Sequence, residues 1–201
     1  ATGAALFKKC NKKNGIVIAN IGDGSMGRGP VWEAMSFASM DQYRMLWEES
    51  KKGGMPILFN VFNNDYGMGG QTRGETMGYD FLARIGAGVS PTQLHAERVD
   101  GYNPLAVIDA MRRKKEILLN GDGPVLLDVV TYRTTGHSPS DSSSYRTKEE
   151  IDAWLAVDPC VMFRDELVKA KVAKDEDFEN LWNETRETIT KICKMASDTE
   201  V

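Results

Sequence analysis

Short apolar runs alternate along this chain with stretches whose apolar positions recur every three or four residues. Residues 16–21 hold Ile16, Val17, Ile18 and Ile21, a β-branched run of the length of a buried strand. Residues 56–62 (PILFNVF) and 124–130 (PVLLDVV) read the same way. Residues 94–99 form a shorter strand with His95 and Glu97 on one face. From Pro30 the spacing turns helical through Val31, Ala34, Met35 and Ala38, and it runs on through Phe37, Met40, Tyr43, Met45 and Trp47, which predicts one helix over 30–47. Those aromatic and methionine residues suit core or subunit contact better than a cofactor box. Residues 79–88 read as a short amphipathic helix with Phe81, Leu82 and Ile85 inward, ended by Gly86 and Gly88. Asn103 caps a helix reaching Gly121, with Leu105, Ile108, Met111, Ile117 and Leu118 on one face and the basic run 112–115 on a solvated one.

Residues 1–13 read as the end of a helix with a Lys-rich last turn. Thr147 with Glu150 fits a capping box, Asp158-Pro159 breaks the pattern, and residues 161–172 and 177–195 read as two further helices. Trp182, Ile189 and Ile192 make the last one amphipathic. The alternation predicts an α/β fold: a mostly parallel sheet flanked by helices over residues 1–157. Residues 158–201 are expected to be helices packing on that domain or on a partner subunit.

The polar interruptions carry the chemistry. After the first strand comes GDGSMGRG, with Gly22, Gly24, Gly27 and Gly29 in eight residues before Pro30. A strand, a glycine turn and a helix N-terminus make an anion site, because free N–H groups and the helix dipole point at the ligand. Gly22-x-Gly24-x-x-Gly27 also matches the dinucleotide fingerprint, a weak signal alone. Asp23 argues against that reading, since a carboxylate inside a diphosphate loop repels the ligand unless a hard cation such as Mg²⁺ or Ca²⁺ sits between them. The second strand ends in Asn63, Asn64, Asp65, Tyr66 and Gly67, a source of amide and carbonyl oxygens for such an ion. Residues 71–78 are polar and glycine-rich, a loop. The third strong strand runs into TYRTTGHSPSDSSSY, too polar for core and placed where ligands bind in parallel sheets. It contains His137, able to donate to a phosphate or oxyanion and to exchange protons near neutral pH. The other histidine, His95, reads as structural.

Composition narrows the classes. The 201 residues are 41% hydrophobic and 27% charged, ordinary for a globular domain. A net charge of −4 argues against a nucleic-acid platform. No apolar run approaches the roughly 20 residues of a membrane span, and no basic-then-apolar leader is visible. Cys10, Cys160 and Cys193 are odd in number and widely spaced, which reads as reduced thiols in a cytosol-like compartment.

Together these residues resemble a known family. GDG followed by NN at the next strand's end resembles the thiamine diphosphate motif, and NNDYGMG is similar to its form in the α subunits of the first component of 2-oxo acid dehydrogenases, of pyruvate, branched-chain or acetoin type. RVDGYNPLAV, GPVLLDVVTYRTTGHSPSD and SYRTKEEIDAW resemble the same subunit in the family's order, so the likeness covers residues 3–168. The resemblance implies a thiamine diphosphate-binding fold, of which this chain is the diphosphate-binding domain. It implies Mg²⁺ on Asp23, Asn64 and the Tyr66 carbonyl, and the diphosphate on Gly22, Gly24, Ser25 and the helix N-terminus after Pro30. Tyr66, Gly67 and Met68 would flank the cofactor, with His137 beside the thiazolium ring handling protons and an oxyanion. The implied activity is oxidative decarboxylation of a 2-oxo acid with acyl transfer to lipoamide on an acyltransferase component.

The implied assembly is a hetero- or homo-oligomer with a β subunit that supplies the glutamate activating the cofactor. Set against the family, an N-terminal part with a diphosphate-clamping arginine is missing. The chain is therefore expected to be a fragment, a processed product or a piece of a split subunit, with little turnover alone. A bacterial cytoplasm is the expected compartment, an organelle matrix the second. Ser138 and Ser144 align with loop positions phosphorylated in mitochondrial relatives, but regulation is not expected here. The chain departs from the family in a longer Asp23-to-Asn64 spacing, with extra residues near 42–54, and in Pro139 and Ser142 of the histidine loop. Two rivals stand beside this reading: a Rossmann-type NAD-binding oxidoreductase, whose ribose-binding acid would have to be Asp41, Glu48 or Glu49, and a regulatory or interaction subunit that has lost the reaction.

Overall fold

The computed structural model describes residues 1–198. The chain forms two compact units, Ala1–Ala156 and Val157–Val201. The first is built on four parallel strands, β1 (Val17–Gly22), β2 (Ile57–Asn63), β3 (His95–Asp100) and β4 (Val125–Val130), in the order β1-β2-β4-β3. All four carboxyl ends lie on one sheet edge: Gly22 pairs with Phe62, and Asn63 and Asp100 both pair with Val130. The inner strands β2 and β4 are buried almost throughout because helices cover both of their faces, as their unbroken apolar sequence predicts. The outer strand β1 behaves differently. Its burial alternates, and Ile18 is 44% exposed on the face that no helix covers, so the run expected to be buried on both sides is an edge strand.

Helices α1 (Thr2–Cys10), α2 (Gly29–Ala38) and α4 (Arg84–Val89) pack on one face against Ile57, Phe59, Val61 and Leu126. Helix α5 (Pro104–Leu119) covers the other through Ala110 and Leu118, over Leu58, Val125, Leu127 and Val129. The Asn103 side chain accepts from the Ala106 N–H, the expected cap. The buried stripe is rotated from the one expected. Ala110, Lys114 and Leu118 face inward at steps of four, leaving Leu105 and Ile108 exposed. Lys114, placed by sequence on the solvated face, is buried and pairs with Glu97 at 2.9 Å. Glu97 also meets Arg113 at 2.7 Å, and mainly that guanidinium holds its carboxyl down at about 2.

The helix expected over 30–47 is broken into two pieces, with a further turn beyond its end. α2 stops at Ser39, α3 is a four-residue turn, Gln42–Met45, and a 3-10 turn covers Glu49–Lys51. Side-chain packing breaks it: Tyr43 is 2% exposed and meets Phe37 and Trp47 edge-on at 5.9 and 5.4 Å, which folds the segment back on itself. Lys9 of α1 pins it, donating to the carbonyls of Lys51 (2.6 Å) and Gly53 (2.5 Å). The helix expected over 79–88 begins only at Arg84, and Phe81 points outward at 44% exposure. Gly86 and Gly88 lie inside α4 and do not end it.

In the second unit, α7 (Pro159–Lys169) and α8 (Asp175–Ala196) follow α6 (Lys148–Leu155) of the first. α7 ends before residue 172, three short of the expected span, with Lys171 in the left-handed region at φ 57°.

Close approach explains Gly86. A Cβ there would sit 2.3 Å from the Ala96 Cβ and 3.2 Å from the Leu94 carbonyl. Gly86→Val is therefore expected to destabilise the protein by about 1–3 kcal/mol, read as a lower urea midpoint. An unchanged midpoint would contradict this seating of α4 on β3.

Candidate functional site

The turn after β1 is a 3-10 helix, Asp23–Gly27, rather than a glycine loop leading straight into α2. The Met26 carbonyl anchors it by accepting from Trp32 Nε1 (2.9 Å) and Tyr79 Oη (2.5 Å). Gly27 is compulsory, since a Cβ there would lie 2.1 Å from the Thr76 carbonyl. This geometry draws the Asp23 carboxylate inside, 1% exposed. Oδ1 accepts from the Gly24 N–H at 2.9 Å, Oδ2 accepts from the Thr72 hydroxyl at 2.8 Å, and the Asp65 amide also bonds to it. Burial outweighs these donors and pushes the carboxyl above its usual range.

The end of β2 meets this turn. A Cβ on Gly24 would touch the Thr72 Cγ2 at 3.4 Å and the Gly67 Cα at 3.7 Å. Asp65 takes the left-handed conformation, φ 61°, and Asn64 Oδ1 accepts from the Tyr66 N–H at 3.1 Å, closing an Asx turn. Asn63 turns the other way: Nδ2 donates to the buried Asp128 at 2.8 Å, while its Oδ1 is buried with no hydrogen-bond partner. Thus Asp23, Gly24, Asn64, Tyr66 and Gly67 form one junction, with Gly22 and Ser25 on its open side and Met68 83% exposed. Thr72, fully buried in the segment expected to be a polar loop, belongs to the junction. Sequence gave no signal for it beyond a hydroxyl among glycines.

His137 reaches the junction through Arg133. One guanidinium nitrogen, Nη1, donates to the Gly67 carbonyl at 3.2 Å and lies 3.4 Å from His137 Nδ1. The imidazole is exposed, and its backbone N–H donates to Asp141 Oδ2 at 2.7 Å. Asp141 also accepts from the Tyr145 hydroxyl at 2.6 Å and from the Ser143 N–H, and these bonds, the tyrosine's first, hold it at about 2. Tyr145 in turn accepts from Arg133 Nη2. Gly136 makes the tight turn possible, for a Cβ there would meet the Asp141 carbonyl at 2.4 Å.

A second arginine locks the base of this loop. Arg146 is 8% exposed and lies 5.2, 5.4 and 5.6 Å from the rings of Tyr66, Tyr132 and Tyr145. It donates to the carbonyls of Arg133 and Thr135 and to Ser143 Oγ. Thr147 caps α6 through the Glu150 N–H, but the capping box is not closed. The Glu150 carboxylate instead accepts from Tyr66 Oη (2.7 Å) and Tyr132 Oη (2.9 Å). Burial, then Glu150, pushes the Tyr66 phenol up to about 12. Beside this cluster lies a cavity of about 320 Å³ lined by Asn64, Tyr66, Gln71, Tyr132, Glu150 and Trp154. Arg133, Asp141, Tyr145 and Arg146 were missed by sequence reasoning because each is an ordinary charged or aromatic residue until the loop folds.

Among the described residues no cluster of three His, Cys, Asp or Glu side chains could hold a metal ion. The expected set is of another kind: one carboxylate, one amide oxygen and one main-chain carbonyl. Its fit rests on Asp23, a buried carboxylate for which no basic side chain contributes to the shift. The acids that a ribose-binding site would require fall elsewhere, Asp41 just before α3 and Glu48 and Glu49 at a 3-10 turn, while β2 ends in Asn63.

The model of the family described as dehydrogenase E1 component matches residues 1–201. The chain belongs to that family. It is 32% identical over 197 residues to the pyruvate dehydrogenase E1 component subunit alpha type II of Ascaris suum mitochondria, covering 97% of this chain and 46% of the relative. It is 29% identical over 198 residues to the corresponding alpha subunit of Rickettsia felis, covering 98% and 56%. The chain thus spans about half the length of these curated relatives. A solved structure of a thiamin diphosphate-dependent enzyme from Mycobacterium smegmatis overlaps 66% of this chain and 21% of its own, at 23% identity and a TM-score of 0.43, too slight a match to bear on function. No helix among the described residues is long and apolar enough to cross a membrane.

The raised Asp23 pKa carries a sign. The folded state binds the Asp23 proton more tightly than the unfolded chain, so this group favours folding at low pH and costs stability as pH rises through its folded pKa. As pH rises above the ordinary aspartate pKa of about 4, Asp23→Asn is expected to gain stability relative to wild type, measured by urea unfolding without metal. A stability difference independent of pH would contradict the shift.

Proposed function

We propose that this chain is the diphosphate- and Mg²⁺-holding half of a thiamine diphosphate-dependent 2-oxo acid dehydrogenase, acting with a β subunit and a lipoyl-bearing acyltransferase. The observation that supports it is the junction of Asp23 with the Asn64–Gly67 turn in a member of the E1 family. Asp23, Asn64 and the Tyr66 carbonyl would take the cation with hard oxygen donors. Gly22, Gly24 and Ser25 would lie along the diphosphate, where a side chain on Gly24 would crowd Thr72 and Gly67. When bound, thiamine diphosphate supplies the carbanion that attacks a 2-oxo carbon.

The protein's part is placement and charge. Thr72 and the Gly24 N–H orient the Asp23 carboxylate. Arg133 spans Gly67 and His137, which aims the imidazole toward the junction. There the His137 ring can exchange a proton with a reacting group. Asp141 and Arg146 hold the loop so that the ring is positioned before substrate arrives. The substrate is a 2-oxo acid, and oxidation ends with the acyl group on lipoamide.

Calorimetric titration of thiamine diphosphate, with and without Mg²⁺ and with a β subunit present, tests this. Wild type is expected to bind only with Mg²⁺, and Asp23→Ala to lose that binding. Thr72→Val should weaken it by roughly 10–100-fold, as loss of a ligand-orienting partner does. His137→Ala should leave affinity within a few-fold and lower turnover by roughly 10²–10⁴-fold. Binding indifferent to Mg²⁺ and to Asp23 would refute the assignment.

A further inference from the structure

Behind the junction lies a second buried acid, to which the cofactor reading gives no role. Asp128 is fully buried near the end of β4, opposite Val61 of β2 and Arg98 of β3 in the ladder. Its Oδ1 accepts from Asn63 Nδ2 at 2.8 Å. Its Oδ2 accepts from the Ala83 N–H at 3.4 Å and lies 3.9 Å from Arg98 Nε. A buried carboxylate is costly even when it is met in this way, so packing alone gives no reason for one here.

Its two contacts lead to the two arms of the site. Asn63 is the last residue of β2, so whatever holds it sets the direction in which Asn64 and the Asx turn leave the sheet. The Asn63 carbonyl accepts from the Thr131 N–H at 2.9 Å. A carboxylate only accepts, so the Asn63 amide must present Nδ2 to Asp128. That orientation is kept although it leaves Oδ1 buried with no partner. Ala83 ends the other arm, residues 72–83. Along it the Thr72 hydroxyl meets Asp23, Tyr79 holds the Met26 carbonyl and Leu82 is fully buried. One side chain thus ties the strand that carries Asn64 to the segment that orients Asp23.

We infer that Asp128 is a positioning residue of the cation site. It sets the Asn64 turn against the Asp23–Thr72 pair, through Asn63 on one side and Ala83 on the other. Both carboxylate oxygens are needed for this. An asparagine at 128 has the same shape but one acceptor, so it can meet Asn63 or Ala83 and not both. The inference rests on the cofactor reading proposed above, which assigns the ligands that Asp128 positions.

Manganese binding tests it, followed by the electron paramagnetic resonance of free Mn²⁺ with the full chain, a β subunit and thiamine diphosphate present. Mn²⁺ takes the oxygen ligands that suit Mg²⁺. Asp128→Asn is expected to raise the Mn²⁺ Kd by roughly 10–100-fold, as loss of a ligand-orienting partner does. Asn63→Ala cuts one arm and leaves Asp128 in place, and it should raise the Kd as well. Leu126→Ala is the comparison for a purely structural loss, since Leu126 is fully buried on the same strand and touches neither arm. It should lower the urea midpoint and leave the Kd of the folded protein within a few-fold of wild type. An unchanged Kd in Asp128→Asn, or in Asn63→Ala should the first variant not fold, would overturn the inference while the cofactor reading stands. A Kd raised equally by Leu126→Ala would overturn it too, because the effect would then follow stability. A wild type that binds no Mn²⁺ would overturn the cofactor reading and this inference with it.

Discussion

One buried carboxylate sets the terms of the junction. Asp23 stands where β1 ends and must be taken out of water for the 3-10 turn to form, because Gly27 and Met26 pull that turn against Thr76, Trp32 and Tyr79. A hydroxyl and two amides meet the carboxylate but leave its charge uncompensated. The same donors, Thr72, Gly24 and Asp65, come from the turn after β1 and the segment after β2, so satisfying Asp23 is also what holds the two together. A cation beside the carboxylate would offset that electrostatic cost.

The second constraint is the cluster at the foot of the histidine loop. Arg146 carries a charge into a nearly closed space and is accommodated by three tyrosine faces and by the carbonyls of Arg133 and Thr135. Glu150 ties two of those tyrosines to α6. Tyr66 belongs both to this cluster and to the turn after β2, so the loop bearing His137 and the junction bearing Asp23 share a wall. That link turns two separate strand ends into one site.

Much of this was readable from residues 16–130. β2 and β4 are unbroken apolar runs because both faces are covered, and Asn103 and the Asp23 and Asn64 segments carry local signals that survive into the fold. What was misread depends on contacts between distant residues. Periodicity ran α2 through Tyr43, but that ring is buried between Phe37 and Trp47 and the chain must turn to place it. Lys114 read as solvated by type, yet its helical register faces the sheet and Glu97 neutralises it. Ile18 read as core, but it lies on an edge strand with one face bare. Thr72 and Arg146 had no local signature, because their roles exist only once the segments after β2 and β4 have met the turn after β1.

The ionisation of Asp23 tests the central claim most directly. A ¹³C NMR titration of its side-chain carboxyl, with and without Mg²⁺ at millimolar concentration, would report the charge state at the junction. The account predicts a pKa above the usual aspartate value of about 3.9 in the metal-free protein, falling when Mg²⁺ is added. An ordinary pKa that Mg²⁺ leaves unmoved would contradict it.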